Sequence, residues 1–269
     1  GATVKAINAN VDGHFSARES KPTAESLADL RAFVAEDPAA DVAIGHDGDA
    51  DRIVIVDSDG EVVHEDTVVA ILAEHYVRAS DAGDPVVVTT PNASGRIDER
   101  VTAVGGRVER VALGVLHEGI AAVRAEGGED TAVAFAAEPW KHIHPAFGGW
   151  IDGVASAAVL ARLVAAEGLA ALREPITERP YRKESVRCPD DAKTDVMDRL
   201  ETALPERFPE ADVSLDHGVR LAFDDGAWTL VRPSGTEPYV RVYAESESVD
   251  ELTETVRDAV ENAVDAATG

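Results

Sequence analysis

Pro85-Val86-Val87-Val88-Thr89-Thr90 is a short β-branched run without polar alternation, the pattern of a strand buried on both faces. Residues 66–79 upstream have helical spacing (Val69, Leu72, Ala73, Tyr76), and residues 94–104 downstream read as a second helix. Strand signals follow at 107–113 and 132–136, with a helix at 116–126 between them. Residues 153–166 carry small and aliphatic side chains on every side, as a buried helix does. Nearer the start, 23–35 reads as a helix preceded by Pro22, and 41–45 and 53–57 read as strands flanking an acidic loop. This alternation predicts an α/β chain, with a mixed, mostly parallel sheet and crossover helices.

Between Pro175 and Pro180 the pattern changes. A strand at 184–188 and a helix at 192–204 precede three strand runs in succession, at 213–215, 219–223 and 228–232. A strand at 239–245 and a long helix at 249–267 close the chain. Consecutive strands joined by His-Gly and Asp-Gly turns predict an antiparallel sheet with helices to one side, hence a separate small α+β domain behind a Pro-rich linker. There is no internal repeat and no low-complexity tract.

The 269 residues are 45% hydrophobic and 28% charged, which suits a globular protein and argues against disorder. Lys and Arg total 25 against 51 Asp and Glu, a net charge of −26 that repels nucleic acid and acidic membrane surfaces. Only Lys5, Lys21, Lys141, Lys183 and Lys193 are lysines, so nearly all positive charge is Arg. Dense carboxylates with few lysines point to a salt-adapted, halophilic cytoplasm, where screening quenches self-repulsion. Cys188 is the only cysteine, which excludes an intrachain disulfide and a Cys-based zinc site. No apolar run approaches the roughly 18 residues of a membrane span, and no signal peptide opens the sequence, so a cytoplasmic location is expected. The sequence starts at Gly1 and its only methionine is Met197, so the amino terminus is expected to be processed, trimmed or incomplete.

Three loops carry chemistry. In Asp47-Gly48-Asp49-Ala50-Asp51-Arg52, carboxylates at alternate positions of an extended loop can converge on one hard cation, and Gly48 and Ala50 let the loop curl. A solvated acidic turn is the plainer alternative. An EF-hand fails by count, because Arg52 and Ser58 stand where Gly and Glu are required. A phosphatase with Asp47 as nucleophile is imitated locally, although the third Asp and Arg52 suit metal plus phosphate better. In Arg232-Pro233-Ser234-Gly235-Thr236-Glu237-Pro238, with Arg241 beyond, a guanidinium, two hydroxyls and a permissive Gly suit an anion held in a backbone nest. No helix follows, so this is not a P-loop; an ordinary hairpin turn is the alternative. Finally, Ala137-Glu138-Pro139-Trp140-Lys141-His142 reads as one irregular loop whose carboxylate, indole, cation and imidazole can grip a sugar, with His142 available for proton transfer. Unremarkable surface residues would give the same local sequence.

In this order the loops resemble those of the α-D-phosphohexomutase superfamily (phosphoglucomutase, phosphomannomutase and phosphoglucosamine mutase), from about Ala9-Asn10-Val11-Asp12-Gly13-His14-Phe15 to the end of the sequence. The resemblance implies the end of the family's second domain at 1–58, its third at 59–173 and its fourth at 174–269. It further implies that Asp47, Asp49 and Asp51 bind Mg²⁺, with a phosphoserine oxygen completing the site, and that Arg52 lies against the reacting phosphate. Glu138 and Lys141 would contact the sugar, His142 would sit near the transferring phosphoryl group, and Arg232, Ser234, Gly235, Thr236 and Arg241 would hold the phosphate that is not reacting. The implied reaction moves phosphate between O1 and O6 of a hexose phosphate through a hexose bisphosphate.

Two departures stand out. The family's usual Gly-Glu-x-Ser-Gly-His is altered at Ala137, Trp140 and Lys141, which leaves the choice of sugar open. No Ser-His-Asn-Pro-like phosphoserine loop occurs in these residues. The sequence alone is therefore expected not to interconvert hexose phosphates, and surface left by an absent first domain is expected to favour self-association. A catalytically silent sugar-phosphate-binding protein and a metal-dependent phosphatase are the competing readings.

Overall fold

A computed structural model describes residues 2–269 and divides into two compact units at Thr177/Glu178. In the first, α1 (Ala28–Glu36) precedes β1 (Ala43–His46) and β2 (Ile53–Val56). These two strands pair antiparallel, with His46 opposite Ile53, as a separate two-stranded ribbon carrying the acidic loop at its tip. They stand apart from the parallel sheet that the alternation predicted.

That sheet is built from β3 (Asp84–Thr89), β4 (Arg107–Arg110), β5 (Thr131–Glu138) and β6 (Lys141–Ile143); its crossover helices are α3 (Gly95–Ala103) and α4 (Leu116–Glu126), and α2 (Glu65–Arg78) leads from the ribbon into β3. The strand order is β4-β3-β5-β6, with β3 parallel to both neighbours and β6 antiparallel at the edge. The central strand explains the opening run. Val87 faces a core shared with Leu72, Ile97, Phe135 and Leu163, whereas Val86 and Val88 face Leu116, Ile120 and Val123. Each fully buried side chain of this kind contributes about 1.5–3 kcal/mol relative to exposure. Helices α5 (Gly153–Glu167) and α6 (Leu169–Arg173) complete the unit.

Side-chain caps fix the helix starts near the site: Ser94 accepts from the Arg96 amide, and Asp152 accepts from the Ala155 amide at 2.7 Å.

The second unit holds β7 (Tyr181–Arg187), α7 (Lys193–Arg207), β8 (Asp212–Ser214), β9 (Val219–Ala222), β10 (Trp228–Pro233), β11 (Tyr239–Glu245) and α8 (Val249–Thr268). Its sheet is antiparallel throughout, in the order β7-β11-β10-β9-β8. Strand β7 starts three residues before the expected 184, because all seven of its residues pair with β11. Val231, Val240 and Val242 pack against Val196, Leu200, Val256 and Val260 of the two helices. Trp228, Leu230 and Tyr243 form a small cluster of their own. Among the described residues, no helix is long and apolar enough to cross a membrane.

Candidate functional site

The ribbon β1–β2 closes the acidic loop at its base, where the His46 ring bonds the Arg52 carbonyl at 2.9 Å. Ala50 takes a left-handed φ of 58°, which turns the chain so that one oxygen each of Asp47, Asp49 and Asp51 lies within 4.8 Å of the others. Asp47 is buried and fully engaged: Oδ1 accepts from the Arg52 amide at 3.1 Å and Oδ2 from the Arg52 Nε. Burial pushes the Asp47 carboxyl up, but the amide and guanidinium of Arg52 outweigh it and hold it below the usual carboxylate range. Asp51 goes the other way. Burial, then its contact with Asp47 and the charge of Asp49, raise it, with Lys141 opposing.

Asp51 Oδ1 is buried and accepts no hydrogen bond, although the Arg52 Nε lies 3.5 Å from it. Three converging carboxylates that share one guanidinium keep an excess of negative charge and suit a hard divalent cation, so the donor set fits Mg²⁺.

The segment read as an irregular loop is instead a tight β-hairpin. Strand β5 continues to Glu138, Pro139 and Trp140 form the turn, and β6 begins at Lys141, paired with Glu138. Trp140 has a φ of 68°, so the turn uses a left-handed residue without the Asn-Gly signature that marks such turns in sequence. The hairpin is joined to the acidic loop. Arg52 bridges Lys141, and the Ile53 amide donates to the Trp140 carbonyl at 3.1 Å. Lys21 lies 5.6 Å from the Trp140 ring centroid. Glu138 accepts from the Gly114 amide, and beside it a shallow pocket is lined by Leu116, His117, Lys141 and Trp150. This first unit therefore brings Asp47, Asp49, Asp51, Arg52, Glu138 and Lys141 to one region.

The start of α5 locks the same region. A Cβ on Gly153 would lie 2.7 Å from the Ala50 carbonyl oxygen and 2.9 Å from that of Arg52. Gly153→Ala must push the acidic loop away. We expect a loss of about 1–3 kcal/mol in urea unfolding, together with weaker Mn²⁺ binding. A variant with both properties unchanged would show the contact to be slack.

His142 requires a correction. Its ring is 1% exposed, packed beside Phe135 at a centroid distance of 5.6 Å, and is not open for proton exchange with a substrate. The rings of His142, in β6, and His144, just past its end, both reach Ser156 on α5: His142 Nδ1 and His144 Nε2 each lie 2.8 Å from Ser156 Oγ. Ser156 donates to the Asp152 carbonyl at 3.1 Å, so both imidazoles donate to it. Tyr76 Oη then donates to His144 Nδ1 at 2.7 Å. Burial, then the neighbouring His144, push His142 down to about 3.

The anion residues lie in the second unit, on the connection from β10 to β11, where Arg232 pairs with Arg241. Arg232 donates through Nη2 to Tyr243 Oη at 3.0 Å, and its Nε is buried without a partner. Arg241 is ion-paired to Glu237. Ser234 is buried, and its amide donates to the Tyr239 carbonyl at 2.9 Å; Gly235 and Thr236 are exposed. The amides of Gly235 and Thr236 form no hydrogen bond within the described residues. Unpaired donors around a Gly-containing turn fit a tetrahedral oxyanion.

Residues 1–60 match the model of the phosphoglucomutase/phosphomannomutase alpha/beta/alpha domain II, and residues 185–263 match that of the phosphoglucomutase/phosphomannomutase C-terminal domain. The phosphopentomutase of Thermococcus kodakarensis is 40% identical over 270 residues, covering 98% of this chain and 58% of that protein. A probable phosphoglucosamine mutase of Methanopyrus kandleri is 41% identical over 274 residues, covering 97% and 57%. The chain thus spans somewhat more than half the length of these relatives. A phosphoglucomutase/phosphomannomutase family protein from Burkholderia thailandensis shares the fold, with a TM-score of 0.73 at 23% identity over 91% of this chain and 50% of that one. Aspergillus fumigatus N-acetylphosphoglucosamine mutase, solved in complex with GlcNAc-6P and magnesium, superposes with a TM-score of 0.57 at 18% identity over 90% and 53%. The chain belongs to the α-D-phosphohexomutase superfamily.

Proposed function

We propose that this chain supplies the metal loop, the sugar-contacting hairpin and the distal phosphate loop of a phosphosugar mutase. On this reading residues 1–58 end the second family domain, 59–173 form the third and 174–269 the fourth. The observation that carries the proposal is the junction of the converging Asp47, Asp49 and Asp51 oxygens with the Glu138–Lys141 hairpin through Arg52 and Ile53. The magnesium and sugar phosphate in the Aspergillus structure support the same ligand classes here.

Mg²⁺, when bound, neutralises charge on a transferring phosphoryl group. Asp47 and Arg52 hold the loop closed by their mutual pair, and Asp49 and Asp51 add the remaining carboxylates. Glu138 and Lys141 give the sugar an acceptor and a cation side by side. Within the second unit, Arg232, Ser234, Gly235 and Thr236 offer a guanidinium, hydroxyls and amides to a phosphate. The relatives named above are a phosphopentomutase and a probable phosphoglucosamine mutase, so a hexose substrate shifted between O1 and O6 is one member of the class proposed.

The phosphatase reading is disfavoured, because Arg52 pins both Asp47 oxygens and the side chain is buried, which leaves lone pairs for a cation but does not free the carboxylate to attack a substrate. Incubation with glucosamine 6-phosphate and Mg²⁺ tests this. Binding without phosphate release is expected; release that disappears in Asp47→Ala would establish the phosphatase instead.

For the anion loop, Arg232→Ala is expected to weaken inorganic phosphate binding about tenfold or more, since a charge-assisted contact contributes about 1.5–3 kcal/mol. Affinity that survives the substitution, measured by calorimetry, would remove Arg232 from the site.

A further inference from the structure

Four of the chain's five lysines lie at the candidate sites: Lys21 over Trp140, Lys141 in the hairpin pocket, Lys183 over Tyr243 beside Arg232, and Lys193 at the anion loop. The last was not singled out by any motif. Lys193 begins α7 and is 13% exposed at its side chain. Its Nζ donates to the Ser234 carbonyl at 2.6 Å and the Glu237 carbonyl at 2.7 Å, and lies 2.6 Å from Asp190 Oδ1. An ammonium has three N–H donors, and all three are used.

We propose that Lys193 is a positioning residue for the anion loop, drawing the carbonyls of Ser234 and Glu237 toward the start of α7 so that the loop's amides are left for the anion. The inference rests on the proposed phosphate-binding role of that loop. A trans peptide is planar, so its carbonyl and the following N–H point in opposite directions. Turning the Ser234 carbonyl to Lys193 therefore turns the Gly235 N–H away from it. The second bond fixes the far end of the loop at Glu237, whose next residue is Pro238 and carries no N–H. With both ends tied, Gly235 and Thr236 are preorganised before any anion arrives, which lowers the ordering cost of binding. Since no donor is left over, Lys193 acts on the loop and not on the phosphate itself.

The test uses the full chain with Lys193→Met, which keeps the apolar stem and removes the donors, and Lys193→Arg, which restores donors. Inorganic phosphate is the ligand, followed by calorimetry, and the free loop is followed by the Gly235 and Thr236 amide resonances and their hydrogen exchange. The expected result for Lys193→Met is at least a tenfold loss of phosphate affinity, with both amides shifted and exchanging faster before phosphate is added. Lys193→Arg should recover most of both. Unchanged affinity in Lys193→Met overturns the inference. Lost affinity with unmoved amides also overturns it, because Lys193 would then act directly on the anion. If the wild-type chain binds no phosphate, the phosphate reading itself fails, while the amide resonances still report whether Lys193 orders the loop. Should Lys193→Met unfold the second unit, Lys193→Gln carries the same comparison with a partial loss of donors.

Discussion

Replacing both Asp49 and Asp51 by Asn will abolish measurable Mg²⁺ and Mn²⁺ binding at millimolar concentration and, at the same time, make the metal-free protein more stable. The first effect follows from charge. A dication about 4 Å from a carboxylate gains about 2 kcal/mol even in the dielectric of water, so two neutralised groups cost about 4 kcal/mol, or roughly a thousandfold in affinity. The second follows from repulsion among the converging carboxylates. Asp51 is raised by burial, by Asp47 and by Asp49, and its Oδ1 accepts no hydrogen bond, with only the Arg52 Nε 3.5 Å away. Asn at both positions removes that repulsion while Asp47 keeps its Arg52 pair. Mn²⁺ titration by electron paramagnetic resonance reads the affinity, and urea unfolding with and without Mg²⁺ reads the stability. Binding unchanged in the double variant would place the metal elsewhere; a variant less stable without metal would show that the carboxylates serve the fold first.

The second large effect concerns acid. His142 is held down to about 3 in the folded chain, against an ordinary value of 6.5. Between those values the unfolded chain binds the proton and the folded chain does not, so stability is complete above pH 6.5 and falls as pH drops through the window. At about 1.4 kcal/mol per unit, lowering the pH to 4.5 costs about 2.5 kcal/mol through this ring alone. His144 is also lowered, mainly by burial, and adds to the same slope.

His142→Asn keeps a polar group facing Ser156 but cannot take up a proton. It will be less stable than the wild type at pH 7, through lost packing against Phe135, and the gap will narrow by about 2.5 kcal/mol at pH 4.5. Urea unfolding at several pH values checks this, and the difference between the two proteins cancels the carboxylates they share. Parallel curves would mean that the ring titrates freely in the folded state.

The β-branched run at 85–90, the alternation around it and the change of pattern near Pro175 were enough to separate a parallel-sheet unit from an antiparallel one. Periodicity reports which faces of an element are buried, and Val87 against Val86 and Val88 shows it doing so within three residues. The alternate spacing of Asp47, Asp49 and Asp51 was also legible as a convergence of carboxylates, because a single turn of chain supplies all three. The strand pair at 43–46 and 53–56 was visible as two strands, but its separation from the main sheet was not, since pairing partners leave no local mark.

The third loop shows the limit best. Pro139 and Trp140 lack the turn chemistry that signals a hairpin, and only pairing with β6 and contact with Ile53 fix the turn. His142 carries the same letter whether it meets substrate or core, and what buried it is Phe135 and a Ser156 on a later helix. Lys193 reaches Ser234 and Glu237 across some forty residues of chain, and no spacing rule connects them. Local sequence determined which loops gather carboxylates, hydroxyls and guanidinium groups. Tertiary packing decided which side chains hold those groups in place, because a buried hydrogen bond is satisfied by proximity in space and not by order along the chain.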